Sequence, residues 1–284
     1  MVKKSIGIYG DITIQSPFNT DRLTIEVSNH HIACMVKLAV KDQIVALEVF
    51  QFDSLELEWY EIFQSVRSKS RVLERGFIDT KVFFNLPETV LIPEEKFSQQ
   101  AANDYVELIH GNVIGQLIKT DTIQITPPVM VAYSVKRNLS DAINSNLMMI
   151  TTRNSHSIIT EHALSTKRAY NHTLLKVQLY YQEMLVCLIH DGKLLLTQLF
   201  EQSSQEDVLY HLLNVLHQFH LSTDETTIEL SGVIEAKTTL YENVKKVFSK
   251  ITFDNITEEQ IFTDDFLKYP KHYFTPYLNL IQQA

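Results

Sequence analysis

The chain has 284 residues, 45% of them apolar, and carries 25 Lys or Arg against 34 Asp or Glu, a formal charge of −9. The apolar share supplies a core and excludes a disordered chain, two cysteines are too few for a disulfide-stapled mini-protein, and the acidic balance disfavours a generic nucleic-acid binder. Glycine is scarce, at seven residues, against an ordinary share of about 7%.

The chain opens Met1-Val2-Lys3-Lys4-Ser5-Ile6-Gly7-Ile8-Tyr9-Gly10-Asp11. Two lysines and a short apolar run fall short of a signal peptide's core. No stretch approaches the 18 apolar residues of a membrane span. Cytoplasm is the expected compartment, without membrane insertion. Leu23–Val27 alternates apolar and polar like a half-buried strand. Ile32–Val40 and Ile44–Phe50 follow across a turn at Lys41-Asp42-Gln43, giving an antiparallel meander. Asp53 and Glu56 then read as the capping box of a helix whose apolar stripe is Trp59, Ile62, Phe63 and Val66. A strand at Lys81–Phe84 stops before Pro87, and Pro93 opens a helix expected over Glu94–His110, ended by Gly111. The middle predicts a strand at Val129–Tyr133, a helix near Leu139–Ser145, a strand near Met148–Ile150 and a helix within Ser157–Arg168, with a boundary near Asn171.

Beyond it the opening pattern returns. Leu175–Leu179, Met184–Ile189 and Leu194–Phe200 read as strands, with His190-Asp191-Gly192-Lys193 as a hairpin turn that tolerates positive φ. Ser203 and Glu206 read as the capping box of a helix faced by Val208, Leu209, Leu212, Val215, Leu216 and Phe219. A strand at Thr227–Leu230 and a helix at Thr239–Ser249 complete the half. Laid over one another, the halves pair Cys34 with Cys187, Asp42 with Asp191, Phe50 with Phe200, Asp53 with Ser203 and Tyr60 with Tyr210. The reading is an α/β chain of two similar halves, residues 1–168 and 169–284. Each has a three-stranded antiparallel meander followed by helix, strand and helix, an internal duplication.

This arrangement resembles the actin-like ATPase fold, a duplicated ribonuclease-H-like architecture. Asp191-Gly192-Lys193-Leu194-Leu195-Leu196, Phe200, Glu206-Asp207-Val208-Leu209-Tyr210 and Leu230-Ser231-Gly232 are also similar to an uncharacterised Bacteroidetes family with that fold. The resemblance implies two halves facing a nucleotide cleft, with glycine-bearing turns between the first two strands of each half, an aspartate positioning a metal, and a paired-glycine loop on the adenosine. The corresponding turns here are Glu26–His31 and Leu179–Glu183, without glycine or that aspartate, and with Tyr180 and Tyr181 where backbone should approach phosphate. Only Ser231 and Gly232 keep a trace of the adenosine loop. The expectation is a degenerate nucleotide site with no catalytic residue, no cofactor and no metal. The chain then reads as an interaction or scaffold module for an unidentified protein partner; the alternative is a divergent ATPase or kinase-type enzyme.

Other constellations are weaker. A two-metal nuclease needs converging carboxylates, and Glu26 and Glu48 alternate with apolar residues as on a solvated face. Cys34 and Cys187 read as buried reduced thiols. His211, His217 and His220 share one helix without an evident third ligand, so they read as surface histidines, and the His30-His31 pair in the first hairpin turn is equally uninformative. Arg67, Lys69, Arg71, Arg75 and Lys81 form a basic cluster that an acidic neighbouring helix can neutralise. The tail, with Phe266, Tyr269, Tyr273, Phe274 and Tyr277, predicts a strap without helical period, packed on the body or presented to a partner.

Overall fold

The computed structural model describes residues 1–10, 21–39, 43–53, 57–165, 172–257 and 263–282. They form two compact units, one built on Met1–Ser157 with short C-terminal pieces, the other on Ile158–Thr257 with Tyr269–Asn279. The turn expected at residues 41–43 begins, and the boundary near Asn171 lies, outside the described residues.

Unit 1 contains β1 (Lys3–Tyr9), β2 (Arg22–Ser28), β3 (His31–Leu38), β4 (Gln43–Gln51), α1 (Trp59–Lys69), β5 (Asp79–Asn85), β6 (Thr89–Pro93), α2 (Ala102–His110), β7 (Gln116–Ile123), β8 (Val129–Lys136), α3 (Arg137–Asn146) and β9 (Ile150–Asn154). Its main sheet has the order β1-β4-β3-β2-β5-β9. The β2–β4 meander is antiparallel, and β5 and β9 run parallel to β2. Ile25, Val27, Ile32 and Cys34 meet Ile62, Phe63 and Val66 of α1 and Leu139 and Ile143 of α3 in one buried cluster. Here the apolar faces of strands with period 2 and helices with period 3.6 bury each other. A separate antiparallel sheet, β6-β8-β7, packs with α2 around Ile92, Val106 and Ala132.

Helix α4 (Ser155–Ser165) is followed by β10 (Thr173–Leu179), β11 (Glu183–His190), β12 (Lys193–Glu201), α5 (Gln205–Gln218), β13 (Thr226–Gly232), α6 (Thr239–Val247), β14 (Lys250–Phe253) and α7 (Thr275–Gln282). The unit 2 sheet has the order β12-β11-β10-β13-β14. Its β10–β12 meander is antiparallel and β13 and β14 are parallel to β10, so it repeats the order and sense of β4-β3-β2-β5-β9. Leu175, Val177, Met184 and Val186 pack on Val208, Leu212 and Leu216 of α5.

Several expected boundaries move. Helix α1 starts at Trp59 after Glu58, whose N–H donates to Glu61 Oε2 at 3.3 Å, so Asp53 is not its N-cap, and Glu56 lies outside the described residues. Ser204, not Ser203, caps α5, because Asp207 Oδ2 accepts both the Ser203 and Ser204 N–H groups at 2.9 Å while Ser204 Oγ accepts from Asp207 N. Pro93 closes β6, and two 3₁₀ turns precede α2, which Gly111 ends at φ +79°. Strand β9 begins at Ile150, leaving Met148 and Met149 exposed ahead of it. Strands β1, β6, β7 and β14 are additional to the expected elements; β6 and β7 lack a clear alternating signal, and β14 is only four residues long. The tail is more regular than a strap: Pro276 sits in the first turn of α7, and Phe266, Phe274, Tyr277 and Leu278 are buried.

The strand registers also correct the repeat. Ile32 opposes Phe50 and Met184 opposes Phe200, so that pair matches. Cys34 opposes Ile25, on the α1 face, whereas Cys187 opposes Lys176, between the α5-facing Leu175 and Val177. A one-residue offset puts the two thiols on opposite faces of their sheets. Tyr60 is the second residue of α1 and Tyr210 the sixth of α5, so these do not correspond.

Candidate functional site

The positions to test are the first hairpin turn of each meander and the end of β13. In unit 1 the turn between β2 and β3 is closed by a side chain. Ser28 Oγ accepts the N–H groups of His30 and His31, both at 3.0 Å, in the manner of a serine turn. The same oxygen lies 2.8 Å from His31 Nδ1, and His31 Nε2 lies 3.1 Å from Glu26 Oε2. Ser155 Oγ donates to Glu26 Oε1 at 2.7 Å. One tautomer satisfies the chain: Ser28 O–H donates to Nδ1, and Nε2–H donates to the carboxylate. Glu26, Ser28, His31 and Ser155 are all buried.

In unit 2 the β10–β11 turn is closed differently. Tyr180 N donates to Glu183 O at 2.8 Å, and Gln202 Nε2 reaches the carbonyls of Tyr180 and Glu183 at 3.1 and 3.2 Å. The Tyr180 ring is buried and meets Tyr277 edge-on at 6.0 Å, while Tyr181 is exposed. Ser231 and Gly232 end β13 opposite Gln178 and Leu179, so the structure brings them beside this turn. Ser231 is buried, with its Oγ 3.4 Å from Val177 O. Gly232 has φ +81°, and a Cβ there would stand 2.0 Å from Leu179 O. Close backbone approach within the sheet therefore demands glycine at this position by itself.

The carboxylates expected on a solvated face are buried. Glu48 accepts from Lys4 Nζ at 2.9 Å, Tyr9 OH at 2.5 Å, Ser70 Oγ at 2.5 Å and Arg71 N at 2.9 Å. Burial alone would raise its pKa, but the hydrogen bonds from Ser70, Tyr9, Lys4 and Arg71 outweigh it and hold the carboxyl below its ordinary range. Glu26 opposes Ala33, and Glu48 opposes Cys34, the next residue, so the two point to opposite faces of the sheet. They do not converge on shared metal ions, and among the described residues no group of three or more His, Cys, Asp or Glu is placed to hold one. Burial pushes the Cys187 thiol up to about 11 and Cys34 well above its ordinary value, which makes both poor nucleophiles.

Unit 2 also buries a cation that alternation along β10 did not reveal. Lys176, fully buried, donates to Glu229 Oε1 at 2.5 Å and to Asp254. His162 Nδ1 lies 3.9 Å from Asp254 Oδ2, and burial, reinforced by Lys176, lowers its pKa. The remaining candidates disperse. His211 packs tilted against Phe200, ring centroids 4.7 Å apart, His217 is exposed in the last turn of α5, and His220 follows that helix at φ +55°. In the basic cluster Arg71 lies over the Tyr9 ring at 4.3 Å, Lys69 donates to Val2 O at 2.5 Å, and Arg75 lies over Phe77 at 5.2 Å.

Against known proteins, a model of a family of unknown function matches residues 14–251. The chain belongs to that family, DUF3822. No curated protein matches it in sequence. A Bacteroides thetaiotaomicron protein described as having an actin-like ATPase fold and unknown function superposes with a TM-score of 0.76 at 16% identity, over 93% of this chain and 96% of that one. The PilM–PilN type IV pilus biogenesis complex gives 0.64 at 11% identity, over 93% and 98%. The ethanolamine utilization protein EutJ from Carboxydothermus hydrogenoformans gives 0.51 at 9%, over 98% and 93%. This DUF3822 chain thus has the actin-like ATPase fold. Among its described residues no helix is long and apolar enough to cross a membrane.

Proposed function

We propose that this chain is a non-catalytic actin-like protein that works as an interaction module, its nucleotide site degenerate. The observation that carries the reading is the Ser28 turn. A phosphate is held by backbone N–H groups left open for it, and here the His30 and His31 N–H groups already have Ser28 Oγ as acceptor, in a network anchored by buried Glu26. A phosphate would have to displace a neutral acceptor and sit beside a carboxylate. The second turn supports the same reading, since its carbonyls are held by Gln202 and its side chains are two tyrosines. Gly232 has a structural reason to persist without adenosine. The matching strand order of the two sheets supports an origin by duplication of one ribonuclease-H-like half. That a protein of this fold stands in a complex, PilM with PilN, supports a protein partner.

Thermal denaturation with increasing Mg-ATP tests the proposal. A ligand that binds the native state must raise its stability, so no saturable shift is expected up to millimolar nucleotide. A saturable rise in Tm would overturn the reading in favour of a divergent ATPase.

A further inference from the structure

We propose that a pocket in unit 1, between α1 and the segments flanking β5 and β9, docks a partner peptide presenting a carboxylate beside a bulky apolar side chain. This rests on the interaction-module reading and supplies its partner chemistry. The cavity measures about 100 Å³, well under the roughly 300–1,000 Å³ of small-molecule sites. It is sized for one anchoring side chain, the unit by which protein partners seat themselves. Its floor is apolar, with Phe63, Leu73 and Phe77 buried, and Met148 stands 72% exposed among its lining residues. The adjacent Met149 and Ile78 are exposed as well, and methionines adapt to varied apolar partners.

Among the described residues, two arginines and no carboxylate line the cavity. Arg75 has a side chain only 18% exposed; its Nη1 forms an ion pair with Asp21 Oδ2 at 3.8 Å, too long for a hydrogen bond, and its buried Nη2 has no hydrogen-bond partner among the described residues. Arg67 Nη1 donates at 3.4 Å to Asn146 O. A buried guanidinium N–H without an acceptor is costly. A carboxylate is the acceptor its planar fork fits best, in two parallel bonds. Phosphate would satisfy the same donors. The apolar floor and the one-side-chain volume favour a peptide over a nucleic acid.

The test is fluorescence anisotropy on the full chain. Its probes are short fluorescein-labelled Gly/Ser peptides carrying one Asp or Glu beside Leu, Phe or Met, with Asn and Gln counterparts as controls. Acidic peptides are expected to bind at least about tenfold tighter than the amides. Arg67→Gln and Arg75→Gln should each remove that discrimination. Gly76→Leu, whose new Cβ meets nothing within 4 Å, should fill the pocket and abolish binding with the circular dichroism unchanged. Equal binding of acidic and amide peptides overturns the site, as does discrimination that survives both arginine variants, or displacement by oligouridine as effective as by unlabelled peptide. Mg-ATP melts on the same samples separate the two readings. Nucleotide stabilisation overturns the interaction module itself, whereas peptide binding indifferent to the arginines overturns only this site.

Discussion

In unit 1 the turn between β2 and β3 is closed from within, by Ser28 Oγ on the N–H groups of His30 and His31. In unit 2 the turn between β10 and β11 is closed by a residue beyond the next strand, Gln202 donating to the carbonyls of Tyr180 and Glu183. The sheets share strand order and sense, so the topological demand is the same: backbone polar groups at a buried turn need partners. One half meets it with acceptors for donors, the other with donors for acceptors. A shared fold therefore preserves the need and leaves the chemistry free. The buried charges differ in the same spirit, a histidine–carboxylate chain behind the turn in unit 1 and a lysine held by two carboxylates in unit 2.

The largest expected effect breaks the unit 2 arrangement. Lys176→Met leaves the buried Glu229 and the half-buried Asp254 without their cation, and removing one partner of a buried ion pair costs about 3–5 kcal/mol. Hydrogen exchange should show the loss on the amides of β10 and β13. A change under about 1 kcal/mol would mean the carboxylates find other partners.

Acid should weigh on unit 1 through His156. Burial, with a smaller contribution from His110, lowers its pKa from 6.5 to about 3. Between those values the unfolded chain binds the extra proton, so this stability is complete above pH 6.5 and drains away as pH falls toward 3. At about 1.4 kcal/mol per unit, the loss reaches roughly 3 kcal/mol near pH 4. Melting curves of wild type and His156→Asn across that range should differ in slope, the variant being flatter. Parallel slopes would remove His156 from the account.

The smallest effects sharpen the contrast between the turns. Ser28→Ala leaves two N–H groups and His31 Nδ1 without their shared partner and should cost about 1–3 kcal/mol, the penalty for buried unsatisfied groups. Gln202→Ala frees carbonyls of which Glu183 O retains the Tyr180 N–H, so about 1 kcal/mol is expected. Urea denaturation of both variants checks the order, and a Gln202 effect exceeding that of Ser28 would reverse it.

Much of the fold was legible because it rests on local signals. Trp59, Ile62, Phe63 and Val66 state a helical face, and Val208, Leu212 and Leu216 another, whichever residue caps them. The Asp191-Gly192 turn is written in two residues that accept positive φ, as both do here. The α5 cap moves by one because the adjacent Ser203 and Ser204 offer the same chemistry, and only the approach from the preceding strand decides which oxygen meets which N–H; the α1 cap lies five residues beyond Asp53, at Glu58. Of the candidate site, the missing turn glycines were legible and the Ser28 network was not, although Ser28 beside His31 in a turn was a signal for a side-chain-closed loop.

Period-2 alternation by itself determined that β2, β4 and β10 have two unlike faces. It could not determine that the second face is covered too. Glu26, Glu48 and Lys176 occupy positions that suit water equally well, and they are buried because Ser155, Ser70 and Asp254, distant in sequence, are brought against them. A strand's pattern records how its own side chains differ. Whether a charge on it meets solvent or a partner depends on chain segments that share no sequence neighbourhood with it, and that is settled only when the tertiary structure closes.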